Sequence, residues 1–211
     1  MAAPFEKQSY WHDRFAHESS FDWLVSSATF LSLLEPYIAL LPPSSRILHV
    51  GSGTSDLHNH LRARGLLTVT NLDYEPLAAE RGRQLEVRHF GDARMDYVVA
   101  DATQLRDPVY AEAHHGRYDL IVDKSAADAV ACGGDDQLLA MAEGMGKCLA
   151  PGGVWLSLSF SAQRFEVEGM PMDVRLADKI PTRKARPTDP DICYWFYALR
   201  HWDGNDGPSS T

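Results

Sequence analysis

Four features of this chain have the residue types and spacing to do chemistry. Gly51-Ser52-Gly53 follows the run Arg46-Ile47-Leu48-His49-Val50, and three aspartates close other apolar runs: Asp73 after Leu67–Leu72, Asp101 after Met95–Ala100, and Asp123 after Tyr118–Val122. Glycines at a strand end let the backbone approach a ligand closely and tolerate positive φ. A helix starting behind them adds amide donors and a partial positive charge. Asp73 lies twenty-two residues past Gly51. A carboxylate there can accept both hydroxyls of a ribose, at roughly 1.5–3 kcal/mol for each charge-assisted hydrogen bond. Asp101 is placed to take an exocyclic amino group. The chemistry these groups suit is the holding of a nucleoside.

Metal chemistry has no comparable pattern. His58 and His60 are two apart on an expected helix and point to different faces, and His114-His115 falls in an expected loop without ligands nearby. They are read as surface histidines, and no metal site is expected. Cys132, Cys148 and Cys193 show neither a close pair nor ligand spacing, which fits free thiols in a reducing compartment.

The elements that must position these groups alternate. Phe30–Leu41 carries apolar residues at helical spacing and stops at Pro42-Pro43. Strand-like runs end at Val50, Leu72, Asp101, Asp123 and Phe160, the last after the turn Pro151-Gly152-Gly153; expected helices cover Asp56–Arg64, Pro76–Glu86 and Asp135–Leu149. Val174–Lys184 and Ile192–His201 are extended, with Arg186-Pro187-Thr188-Asp189-Pro190 turning between them. The expected fold class is therefore α/β: a doubly wound, Rossmann-like, mostly parallel seven-stranded sheet with an antiparallel C-terminal hairpin. Residues 1–202 are expected to make one domain, with 1–45 capping the ligand site and 203–211 a disordered tail.

The glycine loop narrows the ligand. A dinucleotide site wants a third glycine where Asp56 stands. A carboxylate there meets a pyrophosphate badly, whereas S-adenosylmethionine has no phosphate and carries cationic sulfonium and amino groups. S-adenosylmethionine is the expected cofactor.

Four segments then carry a family resemblance: Tyr10-Trp11-His12-Asp13-Arg14-Phe15; Phe21-Asp22-Trp23-Leu24; Gly51-Ser52-Gly53-Thr54-Ser55 with Asn71-Leu72-Asp73-Tyr74; and Asp123-Lys124-Ser125-Ala126-Ala127-Asp128-Ala129-Val130. The chain resembles the seven-strand (class I) S-adenosylmethionine-dependent methyltransferases, closest to the group of elongation factor 1A lysine methyltransferases and methyltransferase-like protein 13. That resemblance implies cofactor contacts from Trp11, Phe15, Trp23, Gly51, Gly53, Asp73, Tyr74, Asp101, Ala102 and Lys124. It also implies a protein lysine in a basic region of a protein substrate as acceptor. Physically, an N-terminal segment bearing Trp11, Arg14 and Trp23 can fold over an open site, and aromatic faces suit a sulfonium by about 0.5–2 kcal/mol each; otherwise it is an amphipathic helix pinning its tryptophans to the core. The chain departs from the family at His49, where an acid is common, at Phe15 in place of Tyr, and at Ser125-Ala126-Ala127 in place of Gly-Thr-Leu. The helix expected after the fifth strand is short or absent.

Methyl transfer is an in-line displacement that chiefly needs the acceptor aligned. Asp123 is the candidate for orienting it, or else caps the following helix; Asp128 is second. Lys124 sits beside the cofactor, or else is exposed. A small-molecule N- or O-methyltransferase, and a non-catalytic partner keeping the fold, are the competing readings.

Bulk properties bound the partners. A net charge of −9 repels nucleic acid phosphates, and the Asn-Pro-Pro-Tyr type motif of nucleobase amino methylation is absent, so no nucleic acid partner is expected. The chain shows no signal-peptide core and no run of about twenty apolar residues. No membrane partner is expected, and the cytoplasm is the expected location.

Overall fold

The computed structural model describes residues 3–18, 20–182, 184, 186, 188 and 190–202. The tail expected at 203–211, and parts of the turn expected at 186–190, lie outside these.

Among the described residues, seven strands, β1 (Ile47–Val50), β2 (Val69–Asp73), β3 (Asp96–Val99), β4 (Tyr118–Lys124), β5 (Leu149–Ser159), β6 (Asp173–Pro181) and β7 (Cys193–Arg200), form one sheet in the order β3-β2-β1-β4-β5-β7-β6. β1 to β5 pair in parallel, while β7 runs antiparallel between β5 and β6. The expected fold class holds. Strand order reverses between β1 and β4, which opens a crevice beyond their carboxyl ends. Ser159 pairs with Trp195 at that end of β5, and Trp155 with Leu199 nearer its start. Pro181 pairs with Cys193 where β6 gives way to β7.

Helices cover both faces: α1 (Gln8–His17), α2 (Ser27–Ile38), α3 (Leu57–Ala63), α4 (Pro76–Phe90), α5 (Ala111–His114), α6 (Ala126–Ala131) and α7 (Asp135–Cys148). One apolar layer joins Leu48, Val50, Ile121 and Trp155 to α6 and α7 through Ala127, Leu138 and Met141. The other joins Ile47, Leu120 and Val122 to α2 and α3 through Phe30, Leu34 and Leu61. Alternate residues of a central strand thus enter different layers.

Local chemistry sets the boundaries. Ser26 caps α2 by accepting from the Thr29 amide, and Pro76 opens α4 behind Glu75, whose side chain accepts from the Leu77 amide. α4 continues four residues beyond the expected Glu86, to Phe90. The Pro151-Gly152-Gly153 turn is instead taken up as an irregularity within β5, where the register on β4 jumps from Leu149 to Val154. His114 ends a short helix rather than lying in a loop.

The surface reading fails for His58 and His114, which are buried, while His60 and His115 are half-buried; His49 is buried as well. Among the described residues, no group of three or more His, Cys, Asp or Glu is placed to hold a metal ion, and no helix is long and apolar enough to cross a membrane.

Candidate functional site

A cavity of about 560 Å³ opens at the carboxyl ends of β1, β2 and β4. Its floor is the loop after β1. Gly51 and Gly53 both take positive φ, +60° and +51°, and a Cβ on Gly51 would stand 2.5 Å from the Ala126 Cβ. Gly51→Ala is therefore expected to cost about 1–3 kcal/mol. Thermal unfolding checks this; a midpoint equal to wild type would show that α6 does not hold the loop.

Asp73 is buried beneath this loop. One carboxylate oxygen accepts from the Gly53 amide at 2.9 Å, the other from the Glu75 amide at 3.0 Å. Burial pushes its pKa up to about 6, with these amides offsetting part of the shift. Each oxygen keeps a lone pair for a further donor. At the end of β3, one oxygen of Asp101 is taken by the Thr103 amide and hydroxyl, at 2.9 and 2.8 Å. Tyr74 lies between these acids, and burial raises its phenol further above the usual range.

The N-terminal segment roofs the cavity. Phe5, Tyr10, Trp11, Phe15 and Trp23 pack on one another with ring centroids 5.2–6.0 Å apart, largely edge to face. The tryptophans are therefore not pinned to the core. Arg14 lies over the rings of Phe21 and Trp23, 4.6 and 4.8 Å from their centroids, so one face of each already meets a cation. On the β2 side the roof is fastened by Gln8, which donates to the Tyr74 carbonyl at 2.6 Å, and by His12 beside Glu75 at 3.0 Å.

On the β4 side the fastening is ionic. The Lys124 ammonium donates to Asp22 and, at 3.0 Å, to the Val25 carbonyl. Asp22 also accepts from the Ser27 amide and hydroxyl and from Ser55. Burial lowers the Lys124 pKa, and Asp22 offsets part of that shift. Burial works to raise the Asp22 carboxyl, but Lys124 and Ser27 outweigh it and hold it below its ordinary value. Leu24 and Ser125, the only non-glycine residues with positive φ among those described, both border this junction.

Trp11, Phe15, Trp23, Gly51, Gly53, Asp73, Tyr74, Asp101, Ala102 and Lys124 all line the one cavity. Asp123 does not. Its side chain enters the α6–α7 layer, where it is fully buried and accepts from the Trp155 indole N–H at 2.8 Å and the Ala127 amide at 3.1 Å. The candidate for orienting an acceptor is thus a helix-capping residue that does not face the cavity. Asp128 does line the wall, but Ser125, Ser159, the Phe160 amide and Arg164 occupy both its oxygens, at 2.5–3.1 Å.

Residue-by-residue reading missed Asp22 and Ser55, because the Asp22–Lys124 pair joins positions 102 apart. Asp22 stood inside the Phe21-Asp22-Trp23-Leu24 segment, but its role depends on a chain crossing that local pattern does not record.

The family described as "Methyltransferase domain" matches residues 48–156. The chain is 54% identical over 197 residues to "Methyltransferase srdJ" of Neurospora crassa, covering 93% of this chain and 84% of that protein. It is 26% identical to "EEF1A lysine methyltransferase 4" of Mus musculus, over 77% of this chain and 64% of the relative. Its fold is similar to that of the N-methyltransferase NodS from Bradyrhizobium japonicum WM9, solved with S-adenosyl-L-homocysteine. The TM-score is 0.63 and the identity 17%, over 90% of this chain and 98% of the other.

Proposed function

Since the chain belongs to the methyltransferase domain family and takes S-adenosylmethionine as its donor, we propose that it methylates a small, predominantly apolar acceptor. When bound, the donor supplies an activated methyl group on a sulfonium. The cavity volume, about 560 Å³, lies within the usual range for cofactor sites. Asp73 takes the ribose hydroxyls on its remaining lone pairs, and Asp101 takes the adenine amino group. The backbone of Gly51–Gly53 and the side chain of Lys124 border the amino-acid end. The aromatic roof of Phe5, Tyr10, Trp11, Phe15 and Trp23 excludes water.

One observation carries the acceptor class. The β4–β5 side of the cavity presents Ala126, Ala129, Val130 and Phe160, and its carboxylate, Asp128, has both oxygens occupied. A lysine must lose a proton first, at a cost of roughly 4 kcal/mol at pH 7.4, and the usual receiver is a free carboxylate or water. Among the described residues, that wall offers no free carboxylate. It suits a nucleophile with no proton to lose or one acidic near neutrality: a carboxylate, a thiol or an acidified hydroxyl.

A protein lysine is the second reading. The likeness to EEF1A lysine methyltransferase 4 favours it, as does Glu6, an exposed acid that reaches the cavity from the roof. Incubation with labelled donor and a cell extract, followed by separation by size, decides between them. Label in the small-molecule fraction is expected. Label confined to protein, and found as methyl-lysine after hydrolysis, would overturn the first reading and favour the second.

A further inference from the structure

His49 lies on β1 in the cavity floor and is 1% exposed. Its ring hydrogen can be placed from its neighbours. Asn71, its register partner on β2, donates its amide N–H₂ to the Asp96 carbonyl, which leaves Asn71 Oδ1 as an acceptor. That oxygen is 3.1 Å from His49 Nδ1. Nδ1 therefore carries the hydrogen, and Nε2 keeps a lone pair with no donor on it among the described residues. Burial holds the ring pKa down to about 3, so the imidazole is a neutral acceptor at every working pH.

Lys124 shares this sheet face and has given two of its three hydrogens to Asp22 and Val25. A buried lone pair and a cation with one hydrogen left make complementary partners for an amino-acid zwitterion. We propose that His49 is a positioning residue for the donor, accepting a hydrogen bond at Nε2 from the ammonium group of its amino-acid end. This rests on the reading that the cavity holds the donor.

The test is a calorimetric cycle. S-adenosylhomocysteine and its des-amino analogue are titrated into the wild-type protein, His49→Leu and His49→Gln. The wild type is expected to favour the amino-bearing ligand by about 10-fold or more, the range of a charge-assisted hydrogen bond. His49→Leu should bind both ligands equally, at the level of the analogue. His49→Gln, whose amide can donate to Asn71 and still present an oxygen, should keep most of the preference. Unchanged discrimination in His49→Leu would overturn the proposal. So would equal wild-type binding of the two ligands, a comparison that needs no variant to fold. Wild-type protein that binds neither ligand would overturn the cavity reading itself.

Discussion

Asp73→Ala is expected to lower affinity for S-adenosylmethionine by about 100-fold or more, the largest effect of any single substitution in the cavity. Two charge-assisted hydrogen bonds to ribose hydroxyls account for roughly 3–6 kcal/mol. The substitution also frees the Gly53 and Glu75 amides that the carboxylate holds, so the floor loses its shape together with its charge. The wild type should show a matching pH dependence. Burial places the Asp73 pKa at about 6, and the proton competes with the hydroxyls for the same oxygens. Affinity should therefore rise as pH climbs through 6 and level off above about 7. The empty protein responds with the opposite sign. A carboxyl whose folded pKa is raised contributes stability below its unfolded value near 3.9, and that contribution is lost as pH rises through 6. Titration calorimetry from pH 5 to 8 checks the binding; unchanged affinity in Asp73→Ala would mean that the ribose lies elsewhere.

Asp123→Ala is expected to fail in a different way. The carboxylate sits at 0% exposure and receives the Trp155 indole N–H and the Ala127 amide. Removing it orphans two buried donors, each at about 1–3 kcal/mol, and leaves a void. A loss of about 3–5 kcal/mol, and hence roughly 10 °C in the unfolding midpoint, follows for a chain of this size. Chemical denaturation and per-molecule activity of the folded fraction separate the alternatives. A stability close to wild type combined with lost turnover would return Asp123 to a chemical role.

The contrast between these aspartates shows what sequence can and cannot convey. Both end apolar runs at the same edge of the sheet, and both positions were legible as strand ends. Which side each carboxylate faces was not. β4 is covered on both faces, so its residues show no alternation of apolar and polar types. One step along it separates Asp123, inside the α6–α7 layer, from Lys124 on the opposite face. The glycine loop was legible because positive φ restricts residue choice. The buried histidines were not: His49 is accommodated by Asn71 on another strand, and His58 by its contact with Tyr97. α6 was hidden as well, since six residues beginning with Ala126-Ala127 are too short to display a helical period.

The reversed direction of β7 has a practical consequence for engineering. Arg200 ends that strand near the start of β5, where its guanidinium donates to the Gly152 carbonyl at 3.2 Å. The polypeptide thus leaves the sheet on the side remote from the crevice, and a reporter or affinity handle fused after Trp202 begins far from the chemistry. Pro181 and Cys193, where β6 ends and β7 begins, lie toward the opposite end of β5, whose Ser159 pairs with Trp195.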